Sequence, residues 1–327
     1  MTLERLLELE NKFQNKNIAI IGDMMLDGYY WGDVSRVSPE APVPVVEIDE
    51  EFFRFGGAAN VALNIQGLGG TPIPIGVIGN DSNGEMFLNL MKKEKLNSDG
   101  IIGDSSRPTT TKTRVIAGKQ HVVRIDKESK KFIHSEIEKK ILDFLESIIN
   151  DVDAIILQDY NKGVLSEKLI KSVISLGNNF NKIISVDPKF LNFKKFENVT
   201  IFKPNKKESE DILGMHIQTN KDISNAGEEL LKLTNSKYIL LTLGERGIAL
   251  FEKGNNEIRI PTKAKKVSDV SGAGDTVIST ITYALCTGAT IKEAAYIANY
   301  AGGLVCEEVG IVPVNKEKLF ETLKKNT

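Results

Sequence analysis

Few residues in this chain are suited to redox or metal chemistry. Its 327 residues include two cysteines, Cys286 and Cys306, and three histidines, His121, His134 and His216. Two thiols in apolar helical stretches exclude a disulfide framework and a cysteine-rich zinc site, and read as buried, reduced side chains. The histidines lack metal-like spacing. No apolar run is long enough to span a bilayer, and residues 1–17 are charged and amphipathic without the hydrophobic stretch of a signal peptide. The expected location is therefore the cytoplasm. A basic block is also missing: with 42 Lys+Arg against 44 Asp+Glu the net charge is −2, which argues against nucleic acid or an anionic membrane as the main partner. Two nucleotide signatures are absent, Gly-x-x-x-x-Gly-Lys-Ser/Thr and a Gly-x-Gly-x-x-Gly after the first strand. The common NTPase and Rossmann dehydrogenase readings lose weight accordingly.

What is present is organised around residues 266–276, Lys-Val-Ser-Asp-Val-Ser-Gly-Ala-Gly-Asp-Thr. Gly272, Ala273 and Gly274 lead into 276–285, which lacks Gly and Pro and reads as a buried helix. Bare N–H groups at a helix start, with the positive end of its dipole, form a site for an anion. A carboxylate at Asp275 would repel a phosphate there, so it makes no sense as a phosphate ligand. Two roles remain open at this point: a cap for the helix, or a base that takes a proton from a hydroxyl while the amides hold a phosphoryl group.

Along the chain, short apolar runs at 17–22, 73–78, 154–157, 183–186, 200–202 and 238–241 read as buried strands, most of them separated by helical stretches. This β-α alternation predicts an α/β fold. It also places Asp27, Asp159, Lys162, Asp187, Asn205, Glu208, Thr242 and Asp275 along the carboxyl edge of one sheet, with Asp27 in a loop leaving the first strand. Residues 33–55 and 107–126 look different, an extended Pro-framed segment and a hairpin about residues 117–120, and predict a small sheet acting as a lid. Tyr29, Tyr30 and Trp31 would face a sugar or pack in that lid. Gly56 and Gly57 open a helix and would admit a ligand to the backbone, with Asn60 on the first turn to meet hydroxyls. Thr242, Gly244 and Gly247 offer a hydroxyl and a glycine-bounded backbone to phosphate. Asn205 and Glu208 share a helix face, where one carboxylate suits a hydrated Mg²⁺. The first half thus suits a polyol and the second a nucleotide, as phosphoryl transfer requires.

These motifs together resemble the ribokinase-like (PfkB) carbohydrate kinases: residues 269–275 are similar to the family's second signature and 56–60 to its first. Thr242-x-Gly244-x-x-Gly247 and Asn205-x-x-Glu208 are similar to its ATP and magnesium motifs. The resemblance covers nearly the whole chain. It implies one kinase domain over 1–327, with a central, mostly parallel sheet, helices on both faces and a β-sheet lid from about 33–55 and 107–126. It implies Asp275 as base, an anion hole from residues 272–274, Asp27, Gly56, Gly57 and Asn60 on the sugar, and Asn299 with Asp187 on the nucleotide side. ATP and Mg²⁺ are the implied cofactors, with K⁺ as a monovalent cation beside Asp269 and Ser271. Within the family, residues 22–27, 35–46, 158–165 and 187–189 resemble the kinase part of the bacterial heptose enzymes. That group phosphorylates the anomeric hydroxyl of D-glycero-β-D-manno-heptose 7-phosphate, giving the 1,7-bisphosphate on the route to ADP-heptose. Many members carry a C-terminal adenylyltransferase; this sequence ends just after the kinase part, so that activity is expected elsewhere or the sequence is a fragment. The alternatives are a PfkB kinase for another sugar or sugar phosphate, or a silent sugar or nucleotide sensor. A phosphorylated substrate needs a cation, for which Lys112, Arg114, Arg124, Lys162 and Lys189 are candidates, Lys162 and Lys189 being favoured by their place at strand ends. A homodimer through the lid is expected, because a small sheet with an apolar face needs covering.

Overall fold

Strands buried on both faces are apolar at nearly every position, and the alternation of side chains then divides them between two cores. The chain opens with α1 (Leu3–Lys12), β1 (Asn17–Gly22), β2 (Met24–Val37), β3 (Pro44–Gly57), α2 (Ala58–Gly67), β4 (Thr71–Gly79), α3 (Ser82–Lys93), β5 (Ile101–Asp104), β6 (Thr110–Ala117) and β7 (Gln120–Lys127). It continues with α4 (Ser135–Ile148), β8 (Ala154–Gln158), α5 (Glu167–Asn179), β9 (Ile183–Asp187), β10 (Ile201–Phe202), α6 (Lys206–Leu213), α7 (Asn220–Thr234) and β11 (Tyr238–Thr242). The last elements are β12 (Ile248–Glu252), β13 (Ile258–Ile260), α8 (Ala273–Cys286), α9 (Ile291–Cys306) and α10 (Lys316–Lys325). The structure, a computed structural model, describes all residues except 119, 263–267, 309 and 327. Lys266 and Val267 of the organising stretch, and Lys119 of the expected hairpin turn, therefore lie outside the described residues.

Nine strands form the main sheet in the order β13-β12-β11-β10-β9-β8-β1-β4-β5. It is parallel from β11 to β5, and antiparallel β12 and β13 extend one edge. On one face Ile18, Ile20 and Ile156 pack with Val61, Ile278 and Ala298, from α2, α8 and α9. On the other, Ala19, Ile21 and Leu157 pack with Ile141, Leu169 and Ile223, from α4, α5 and α7. Helix α8 is buried from Asp275 to Ala284, which explains its unbroken apolar and hydroxylic sequence.

A second sheet of four strands has the order β3-β2-β6-β7. The sequence places Asp27 in a loop; the structure corrects this, since Asp27 lies within β2 and pairs in register with Arg54 of β3 and Lys112 of β6. Gly28 and Gly32, on the same strand, sit at close crossings. A Cβ at Gly28 would stand 2.9 Å from the Phe53 ring, and one at Gly32 would overlap the Glu47 carbonyl. The cysteines also differ from expectation: both thiols are free but half-buried rather than enclosed, and burial raises the pKa of each.

Candidate functional site

The carboxyl ends of β8, β9 and β11 and the start of α8 surround a cleft of about 660 Å³, whose lining includes Tyr160, Asp187, Lys203, Thr242, Gly274, Asp275 and Asn299. Gly272 is the residue before α8 and holds φ +79°, a left-handed conformation that favours glycine. Among the described residues, the Ala273 N–H reaches the Val270 carbonyl at 3.3 Å, while the Thr276 N–H closes on Gly272. The amides of Gly272, Gly274 and Asp275 have no such acceptor among the described residues, so the free donors sit slightly off the expected 272–274 set. Beneath Gly274 lies a buried ion pair, with Lys203 Nζ 3.1 Å from Asp187 Oδ2.

Asp275 sits in the first turn of α8, 3% exposed. Its Oδ2 accepts from Asn60 Nδ2 at 2.7 Å, and its Oδ1 accepts from Gln158 Nε2 at 3.0 Å and the Tyr160 hydroxyl at 2.7 Å. Burial pushes the carboxyl up to about 6; the Asn60 hydrogen bond opposes that, the Asp187 charge adds to it, and Tyr160 and Lys203 oppose it. A carboxylate so placed is ionised at neutral pH, yet basic enough to take a proton. Asn60 reaches it from the first turn of α2, as the diglycine before it ends β3. At those glycines the chain itself comes close: a Cβ at Gly56 would overlap the Asp27 carboxylate, and one at Gly57, with φ +58°, the Asp23 carbonyl.

The cations named from sequence meet different fates. Arg114 is paired with the buried Asp27 and lies 5.3 Å over the Tyr29 ring, which itself stacks on Phe52. Lys162 Nζ is 2.6 Å from Glu128, and Arg124 is paired with Asp126. Lys189 is bonded to Glu208 and lies 3.9 Å from Asp187; those two acids raise its pKa against burial. Lys112 has no carboxylate within ion-pair distance among the described residues; burial lowers its pKa, and its ammonium lies 5.5 Å from the Tyr160 ring centroid. Asp159 is turned away from Asp275. Its oxygens accept from the Asn161 N–H and from Asn192, and burial pushes it up to about 7.

On the nucleotide side, Asn205 and Glu208 form a capping box at α6: the Glu208 N–H donates to Asn205 Oδ1, and the Asn205 N–H donates to Glu208 Oε2. Thr242 ends β11, and Gly244 and Gly247 bound a single 3₁₀ turn with φ +60° and +81°. Asn299 Nδ2 donates to the Pro261 carbonyl at 2.8 Å, tying α9 to the segment after β13. Asp269 Oδ1 accepts from the Ser271 N–H and Oδ2 from the Gly310 N–H, which makes this pair a turn as well as a set of candidate cation ligands. Sequence reasoning missed Gln158, Tyr160, Lys203 and Asp23. Asp23 is buried and accepts the N–H groups of Tyr160, Lys162 and Val164, fixing the loop after β8.

Residues 15–318 match the profile of the pfkB family carbohydrate kinases. Curated relatives include the "Bifunctional protein HldE" of Helicobacter pylori, 39% identical over 330 residues, covering 95% of this chain and 71% of that protein. The protein of the same name from Desulfatibacillum aliphaticivorans is 39% identical over 312 residues, covering 95% of this chain and 64% of its own. The chain thus spans about two thirds of the length of these relatives. Among solved structures, Arabidopsis thaliana ribokinase complexed with ribose and ATP superposes with a TM-score of 0.75 at 19% identity, covering 95% of this chain and 99% of that one. Escherichia coli phosphofructokinase-2 in complex with potassium gives 0.76 at 18%, covering 95% and 98%. The architecture is ribokinase-like, and the chain belongs to the pfkB family of carbohydrate kinases.

Proposed function

We propose that this kinase transfers the γ-phosphoryl group of ATP to the anomeric hydroxyl of D-glycero-β-D-manno-heptose 7-phosphate, with Asp275 as the base. The observation that carries the reading is a convergence. The stretches resembling the bacterial heptose kinases supply Asp23, Gln158, Tyr160, Asp187 and Lys189, and these residues surround or support the Asp275 carboxylate. The family match to carbohydrate kinases supports the sugar-kinase part of the reading.

In this reaction Asp275 accepts the hydroxyl proton, the hydroxyl oxygen bonds to the γ-phosphorus, and the bond from that phosphorus to the bridging oxygen breaks to release ADP. The free amides at the start of α8 hold the transferring group, and Lys203, already beneath Gly274, adds positive charge. Thr242, Gly244, Gly247 and Asn299 line the part of the cleft assigned to ATP. Among the described residues no cluster of three or more acids, histidines or cysteines could hold a metal ion. A single carboxylate would suit a Mg²⁺ that keeps most of its waters, and Glu208, already paired with Lys189, would hold it through one of them. When bound, that ion neutralises phosphate charge. Glu208→Gln retains an acceptor for the cap, so the fold is expected to survive. The Mg²⁺ concentration for half-maximal rate should rise about 10-fold; a titration of rate against Mg²⁺ in both proteins checks this.

The substrate phosphate is assigned to Lys112, whose ammonium, like that of Lys189, lies 5.5 Å from the Tyr160 ring centroid. Charge-assisted contacts are worth about 1.5–3 kcal/mol, so Lys112→Met should raise KM for the phosphorylated sugar by roughly 10–100-fold. KM for ATP should stay near wild type; equal changes in both would place Lys112 with the nucleotide. Val34, Val37, Ile48, Val123 and Ile125 expose apolar surface on the four-stranded sheet, and we assign this lid as a homodimer contact. Among the described residues no helix is long and apolar enough to cross a membrane. The deciding experiment is an ATP-consumption screen of free and phosphorylated sugars with heptose 7-phosphate among them. A decisive preference for another acceptor would overturn the substrate while leaving the kinase.

A further inference from the structure

Each oxygen of an ionised carboxylate has two lone-pair directions. Oδ1 of Asp275 receives two donors, the Tyr160 hydroxyl at 2.7 Å and Gln158 Nε2 at 3.0 Å, whereas among the described residues Oδ2 receives only Asn60 Nδ2 at 2.7 Å. We propose that Tyr160 is a positioning residue for phosphoryl transfer: with Gln158 it saturates Oδ1 and leaves Oδ2 as the atom that takes the acceptor's proton. This rests on Asp275 being the base.

Tyr160 is held at both ends for such a task. Its N–H donates to the buried Asp23 at 2.8 Å, and the ammonium groups of Lys112 and Lys189 each lie 5.5 Å from its ring centroid. Burial and the negative charges of Asp275 and Asp187 raise its pKa well above the ordinary phenol value, so the hydroxyl stays a donor across the working pH range. The other groups facing Asp275 are accounted for. Asp187, at the end of β9, repels its charge; Lys203, after β10, attracts it; Lys189 feels it from beyond β9. Helix α2 contributes the neutral Asn60, and β8 the neutral Gln158, whose amide is shared with Asp187 Oδ2 at 3.1 Å.

The network also has a place for the proton after transfer. Asn60 Oδ1 is buried with no hydrogen-bond partner among the described residues. A half-turn of the Asn60 amide presents that oxygen to Oδ2, where it accepts the new O–H while Tyr160 continues to donate to Oδ1. The proton thus passes from the acceptor hydroxyl to Oδ2, and the oxygen it leaves takes the phosphoryl group.

A donor to the ionised carboxylate favours that form and lowers its pKa, so removing the donor raises it. The test is a ¹³C titration of the aspartate carboxyls in the ligand-free protein, the Asp275 signal being assigned by its loss in Asp275→Asn. In Tyr160→Phe the Asp275 midpoint, about 6 in the parent, should move up by about one unit. The acid limb of kcat should move with it, at nearly unchanged melting temperature. A purely structural tyrosine would lower kcat at every pH and leave the midpoint where it was, and that result overturns the proposal. If the Phe variant does not fold, Tyr160→3-fluorotyrosine keeps the shape with a more acidic hydroxyl and should move the midpoint down; no movement again overturns it. The base assignment fails separately, by retained turnover in Asp275→Asn, whereas a fixed midpoint removes Tyr160 alone.

Discussion

Asp275→Asn is expected to lower kcat by roughly 10²–10⁴-fold, the usual worth of a positioned base, while the melting temperature and ATP binding stay close to the parent values. The substitution replaces one carboxylate oxygen by an NH₂ group, and the surroundings decide whether that is tolerated. Placed at Oδ1, the new donor would confront Gln158 and Tyr160, both donors themselves. Placed at Oδ2, it meets, among the described residues, only Asn60, whose own carbonyl oxygen is buried and has no partner there. Rotation of the Asn60 amide then supplies an acceptor, so the variant keeps three hydrogen bonds and loses only the charge. An anomeric hydroxyl is more acidic than an ordinary alcohol, which places the expected loss toward the lower end. Turnover and thermal unfolding measured on one preparation separate the outcomes. A helix cap alone would leave kcat normal, since Asn caps as well as Asp, and near-parent turnover would remove the proposed mechanism.

The main sheet was legible because strands buried on both faces have little compositional freedom. Residues 18–21, 154–157 and 183–186, apolar but for Ser185, could be so only by serving both cores. The β2 segment was less legible: its Asp and Gly residues carry loop character, and pairing to β3 and β6 on both edges overrides it. In the site, reasoning by residue type favoured acids over neutral partners. It chose Asp159 and passed over Gln158 beside it. Strand alternation held the missing signal, since Ile156 packs on the α8 side and Leu157 on the other. Gln158 therefore faces Asp275, and Asp159 faces Asn192. The same parity on β9 turns Ser185 toward Thr282 of α8 and Asp187 toward Gln158. The cations were illegible for another reason. Arg114 and Lys162 have the right type and neighbourhood, but their partners Asp27 and Glu128 are distant in sequence, and only the folded chain shows them engaged.

Gly274→Ala should separate stability from activity in the opposite sense to most glycine substitutions. Gly274 lies in the first turn of α8 outside the positive-φ region. A Cβ there would stand 3.4 Å from Lys203 Nζ and 3.8 Å from Asp187 Oδ2, which is ordinary contact. The fold accepts the methyl group, and reduced freedom of the unfolded chain should stabilise the protein by about 0.4–1 kcal/mol. The same methyl group projects toward Lys203, at the floor of the anion turn where the transferring phosphoryl group is proposed to lie. It would hold that group away from the Gly274 and Asp275 amides. Removing one such donor elsewhere costs about 10²–10³-fold in kcat, and a comparable loss is expected here. Gly272→Ala serves as the contrast. Its φ of +79° strains any side chain, and its Cβ would lie 3.1 Å from Asn60 Nδ2. That variant should lose stability and activity together. Thermal unfolding and kcat measured on both variants decide the matter. If Gly274→Ala gained stability and kept its turnover, the phosphoryl group would not sit against this turn, and the proposed geometry of transfer would be wrong.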